Sequence, residues 1–103
     1  MTGTCRFTIP ASRDIEQILD LVASQSGFDA AEKFLATVNQ KCYRLAQFPL
    51  MGKSRAELGF GIRSFPFSPY LIFYHQIEDG VEILRVVSGY RNLKSLFTED
   101  LME

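Results

Sequence analysis

Two long apolar runs on either side of an Asp-Gly pair constrain the fold of this chain more than any other feature. Tyr70-Leu71-Ile72-Phe73-Tyr74-His75-Gln76-Ile77 is nearly unbroken in apolar character, and Val81-Glu82-Ile83-Leu84-Arg85-Val86-Val87-Ser88 answers it after a short break. Runs of this length, rich in β-branched and aromatic residues, are strands. Asp79-Gly80 between them is a strong two-residue hairpin signal. A strand that is apolar at almost every position is covered on both faces, so the first run belongs in the middle of a sheet.

The first half of the chain has a different period. Residues 5–10 alternate in part, with Cys5, Phe7 and Ile9 against Arg6, Thr8 and Pro10, as a short strand does, and Pro10 is expected to end it. Ser12 is the predicted N-cap of a helix, with Asp14 and Glu16 near its positive end. Ile15, Ile18, Leu19 and Val22 form its apolar stripe, and Ser26-Gly27 stops it. Asp29-Ala30-Ala31-Glu32 resembles a capping box. A second stripe follows through Ala31, Phe34, Leu35, Val38, Cys42 and Leu45, closed by Phe48-Pro49. Two helices joined by about four residues lie antiparallel and share an apolar seam.

Residues 49–61 read as a loop in which Gly52, Gly59 and Gly61 interleave with Lys53, Arg55 and Glu57. A stretch this long is either functional or a plain crossover. Residues 62–67 form a short strand broken by Pro66, and Ser68-Pro69 makes a turn. Beyond the hairpin, Asn92 is predicted to cap a last short turn over residues 93–97, before an acidic tail. The expected fold is α+β, in the order β-α-α-β-β-β, with an antiparallel sheet and an N-terminal helical hairpin packed on one face. Residues 1–103 read as a single domain without repeats or linkers.

Composition removes several classes of function. A hydrophobic fraction of 47%, with nine Phe, supplies a core. No apolar run approaches the roughly 20 residues of a membrane span. The start, Met1-Thr2-Gly3-Thr4-Cys5-Arg6, lacks the features of a secretory signal, so the cytoplasm is the expected location. Cys5 and Cys42 have no metal-ligand spacing around them, and they read as reduced thiols acting as small hydrophobes. No metal or other cofactor is expected. Eleven basic and twelve acidic residues give a net charge of −1, against the basic excess of a protein that lives on nucleic acid.

The second half carries a recognisable series: Met51-Gly52-Lys53, Glu57-Leu58-Gly59, Gly61-Ile62-Arg63-Ser64-Phe65-Pro66, Tyr70-Leu71-Ile72-Phe73-Tyr74, Val81-Glu82-Ile83-Leu84-Arg85-Val86 and Gly89-Tyr90-Arg91-Asn92-Leu93. With Ala11-Ser12-Arg13-Asp14-Ile15 and the helix pair, this resembles the ParE branch of the ParE/RelE toxin superfamily of bacterial type II toxin–antitoxin systems, from about Arg6 to Phe97. The resemblance implies a toxin neutralised by a co-expressed, ParD-like antitoxin. For the ParE branch it implies DNA gyrase as the target, with nucleic acid met only through antitoxin or target.

The RelE branch implies cleavage of mRNA on the ribosome, and the two branches ask for different chemistry. A nuclease needs cations for the scissile phosphate and a group to handle the 2′-hydroxyl proton. Arg63 matches a strand arginine of RelE-type nucleases; Arg85, Arg91 and Tyr90 complete the set such a reaction would use. The lysine cluster and C-terminal His-Tyr or Tyr placement of that branch are missing, and Arg91-Asn92-Leu93-Lys94-Ser95-Leu96-Phe97 resembles the ParE ending. The ParE reading needs no catalytic residues, because gyrase supplies the chemistry. Its interface candidates, toward target or antitoxin, are Arg63, Arg85, Tyr90, Arg91, Lys94 and Phe97. Against them stands a plainer reading, in which Arg63 and Arg85 pair with nearby carboxylates such as Glu82. His75, Tyr70, Phe73 and Tyr74 read as structural. A third reading is a degenerate member that still binds antitoxin but harms nothing.

Overall fold

The computed structural model describes residues 3–88. The elements are β1 (Thr4–Phe7), α1 (Ile9–Ser26), α2 (Phe28–Gln47), β2 (Lys53–Ser54), β3 (Arg63–Phe67), β4 (Tyr70–Ile77) and β5 (Gly80–Ser88). The five strands form one sheet in the order β1-β5-β4-β3-β2, which puts β4 at its centre. Every pairing is antiparallel except β1 with β5, which runs parallel from Thr4 opposite Gly80 to Phe7 opposite Ile83.

Both helices cover the same face. Ala11, Ile15 and Ile18 of α1 and Val38, Cys42 and Leu45 of α2 bury against Ile72, Tyr74, Val81, Ile83 and Val86. Side chains alternate along a strand, so Phe73 points the other way and packs with Leu84, Val87 and Ile62. Residues 55–62 return over that second face and cover it. The doubly apolar β4 thus has a physical origin in helices on one side and a tucked loop on the other.

Four local expectations need correction. Pro10 opens α1 rather than ending β1: Thr8, not Ser12, is the N-cap, and its hydroxyl accepts from the Ala11 N–H at 3.1 Å. Proline suits the first turn of a helix, where its missing N–H has no partner to lose. The capping box at Asp29 does not form, because α2 starts at Phe28 and its cap is Gly27, without a side-chain bond. Gly27 alone joins the two helices, with a φ of 94° that few other residues adopt. Residues 49–61 are not wholly irregular, since Lys53 and Ser54 pair with Ser64 and Arg63.

The hairpin lies where Asp79-Gly80 places it, but its two linking residues are Glu78 and Asp79, with Ile77 opposite Gly80. Gly80 serves a different purpose. A Cβ there would collide with the backbone of Thr4, so the glycine is what lets β1 lie alongside β5.

Candidate functional site

Two polar clamps hold this fold, and both involve residues that the sequence marks as functional. The first lies beyond the end of β1. That strand stops opposite Ile83, so the outer edge of β5 past this point needs other partners. The start of α1 supplies them. The Thr8 hydroxyl donates to the Leu84 carbonyl at 2.9 Å, and the Asp14 carboxylate accepts the Val86 N–H at 3.0 Å. The same carboxylate takes Arg85 in a two-point pair, from Nε at 2.7 Å and Nη2 at 2.9 Å. Asp14 and Arg85 are each only 8% exposed. Two-point arginine–carboxylate pairing is among the stronger hydrogen-bonded arrangements available to side chains.

The second clamp fixes the chain after α2. The buried Tyr74 hydroxyl donates to the Pro49 carbonyl and accepts from the Gly52 N–H, each at 2.8 Å. Arg63 Nη1 donates to the Gly52 carbonyl at 2.7 Å. Burial pushes the Tyr74 phenol above its ordinary pKa, against the opposing pull of the Gly52 N–H and Arg63. Residues 49–52 are therefore held from beneath by β3 and β4.

Around this clamp the surface is apolar with a basic rim. Phe48, Leu50 and Met51 are exposed, and with Arg44, Gln47 and Pro49 they line an open cavity of about 580 Å³. Lys41 lies 5.4 Å from the ring centres of both Phe65 and Phe67, a distance at which cation and ring attract.

The remaining polar groups are structural. Glu82 pairs with His75 at 2.8 Å and with Arg6 at 3.8 Å, in a row across β1, β5 and β4. Glu82 is thus not the partner of Arg63 or Arg85. Cys5 and Cys42, on β1 and α2, are free thiols; the influence of Cys42 draws the Cys5 pKa down, and that of Cys5, with burial, pushes Cys42 up. Among the described residues no group of three or more His, Cys, Asp or Glu comes together as a metal site would require.

Arg63 and Arg85 are not brought together. They sit two strands apart, Arg85 under α1 and Arg63 beneath residues 49–52. Tyr90, Arg91, Lys94 and Phe97, with the turn expected over residues 93–97, lie outside the described residues. Asp14 is absent from the candidates drawn from sequence, although a signal for it exists. Ala11, Asp14, Ile15 and Ile18 are the buried residues of α1, so an acid stands on the apolar stripe. The groove beside residues 48–51 also had a signal, since Phe48-Pro49-Leu50-Met51 is an apolar run in a loop.

Residues 5–93 match the family described as the ParE toxin of the type II toxin–antitoxin system parDE. The chain belongs to the ParE toxin family. One relative of this ParE-family chain is Toxin ParE3 of Caulobacter vibrioides, 31% identical over 86 residues, which span 84% of this chain and 86% of the relative. Among solved structures, the chromosomal ParDE toxin–antitoxin system from P. aeruginosa matches with a TM-score of 0.71 at 20% identity. That match covers 84% of this chain and 96% of the other, and it speaks for a shared fold. The α+β architecture read from the sequence is that of a ParE toxin. No helix among the described residues is long and apolar enough to cross a membrane.

Proposed function

We propose that this ParE-family toxin poisons DNA gyrase by binding it in the cytoplasm, without catalysis of its own, and that a ParD-like antitoxin neutralises it. The observation that carries the choice of binding over cleavage is the buried Asp14–Arg85 pair. A ribonuclease of the RelE kind would need Arg85 facing a phosphate, and here the guanidinium is turned under α1 onto a carboxylate. Arg63 is likewise engaged with backbone carbonyls. The net charge of −1 adds to the same reading, since phosphate binding draws its affinity from cations.

The test is a supercoiling assay with purified toxin, gyrase and relaxed plasmid, run with and without the cognate antitoxin. The expected result is lost supercoiling with accumulating cleaved DNA, reversed by antitoxin. Normal supercoiling in the presence of folded toxin would end the gyrase reading. Ribosome-dependent mRNA cleavage by the same preparation would replace it with the nuclease reading. Truncation after Gly89, which removes Tyr90, Arg91, Lys94 and Phe97, is expected to abolish growth arrest.

A further inference from the structure

The two cysteines of the chain are neighbours in space, and the packing of β1 on α2 shows why. A Cβ placed on Gly3 would lie 2.6 Å from the Ala46 carbonyl oxygen, so the chain entering β1 rests directly on the last turn of α2. From Gly3 to Cys5 is two extended residues, about 6.6 Å, and the two positions share a face. From Ala46 back to Cys42 is four helical residues, about 6 Å, again on one face. The matched steps bring Cys5 opposite Cys42. Both side chains accordingly belong to the core cluster on the helix side of the sheet, Cys42 only 2% exposed and Cys5 half-buried beside it.

The pair is unequal in the way that thiol oxidation requires. Cys5 lies on β1, an end strand of the sheet, and keeps partial access to solvent. Cys42 is sealed in the core. Each thiol is the largest influence on the other's titration: Cys42 draws Cys5 down against burial, and Cys5, together with burial, pushes Cys42 up. The thiolate is the reactive form, so Cys5 is the one that meets an oxidant. Part of what holds Cys42 protonated is the charge of Cys5, which is gone once Cys5 has been oxidised. The sequence holds no third cysteine to compete.

We propose that Cys5 and Cys42 form a reversible disulfide when the chain meets hydrogen peroxide, bracing β1 to α2. The Cys5 thiolate attacks one peroxide oxygen, the O–O bond breaks, and a Cys5 sulfenic acid forms with release of one water. The Cys42 sulfur then attacks the Cys5 sulfur, the S–O bond breaks, and the hydroxide leaves as a second water with the Cys42 proton. Each sulfur gives up one electron overall, and the peroxide is reduced to two waters. A small-molecule thiol such as glutathione reverses the bond by exchange, so the pair rests as thiols in a reducing compartment. The bond closes a loop of roughly 40 residues that contains all of α1 and most of α2. It fixes a strand that has β5 as its single neighbour among the described residues, and so makes the oxidised chain harder to open.

The test exposes the reduced chain to a small excess of hydrogen peroxide and follows thiol content, intact mass and melting. The expected product is a monomer that has lost both thiols and two hydrogens and regains them with dithiothreitol. Its melting temperature is expected about 10 °C above that of the reduced chain. In Cys42→Ala, peroxide should leave a Cys5 sulfenic acid that dimedone traps. Cys5→Ser should keep its Cys42 thiol under the same exposure. The wild-type results decide alone if the buried Cys42→Ala change prevents folding. A sulfinic acid at Cys5 beside an intact Cys42 thiol would overturn the proposal. So would a disulfide-linked dimer, two unreacted thiols in the folded chain, or an oxidised monomer that melts no higher than the reduced one.

Discussion

The two clamps are built from similar groups and do opposite things to the surface above them. At the joint of α1 with β5, Asp14, Arg85 and Thr8 bring charge and hydroxyl into the interior and close it off. At the joint of β4 with residues 49–52, Tyr74 and Arg63 hold a segment whose side chains remain in water. The first clamp satisfies an edge of the sheet that β1 leaves uncovered. The second fixes the position of an exposed apolar surface. An arginine on a strand therefore says little by itself about function; what matters is whether its partner hides it or uses it to hold something outside.

The sharpest way to break this contrast is at Asp14. Asp14→Ala leaves the Arg85 guanidinium without its buried carboxylate and the Val86 N–H without its acceptor. A loss of about 3–5 kcal/mol is expected, read by urea denaturation. The paired change Asp14→Leu with Arg85→Met should be much milder than Asp14→Ala, because it removes the charge together with its partner. A double variant as unstable as the single would show that the backbone contact, not the ion pair, dominates this joint.

At the second clamp the effects are smaller. Tyr74→Phe removes the hydroxyl shared by Pro49 and Gly52 and is expected to cost about 1–3 kcal/mol. It also tests a pH effect. The Tyr74 phenol titrates higher in the folded chain than in the unfolded one, so the folded state holds its proton more tightly. Stability from this group is fully present below the unfolded value of about 10 and declines as pH rises through the folded one. Tyr74→Phe should flatten that alkaline decline in a denaturation series. Arg63→Gln should cost about 0.5–1.5 kcal/mol, by the same denaturation, since it removes bonds to carbonyls that water can reach. The smallest effect is expected at Phe60, which is fully exposed on the loop covering the second face. Phe60→Ser should change stability by no more than about 0.5 kcal/mol in a thermal melt.

Most of the architecture was legible because it rests on periodicity. The stripes through Ile15 and Ile18 and through Val38, Cys42 and Leu45 mark the helix faces that do bury, and the β4 and β5 runs have nearly the boundaries their composition suggests. Local signals were less faithful where tertiary contacts decided the outcome. Asp79-Gly80 located the hairpin, although its glycine answers to Thr4 on another strand. Pro10 reads as a stop until Thr8 is seen capping the helix that follows. Asp14 reads as a favourable charge near a helix start, and only the packing of α1 on β5 shows it as a buried partner. The groove was legible only in part: the apolar run Phe48-Pro49-Leu50-Met51 marks one wall, while the residues of α2 and β3 beside it are distant in sequence.

The parallel pairing of β1 with β5 has a consequence for how the molecule comes into being. The first strand waits for residues 80–83, and Phe7 and Cys5 have no neighbouring strand until those residues have been made. At about 5–20 residues per second, synthesis leaves the nascent chain open for several seconds, with the apolar sides of both helices bare. The sheet on which both helices rest is complete only when the far end of the chain has closed it.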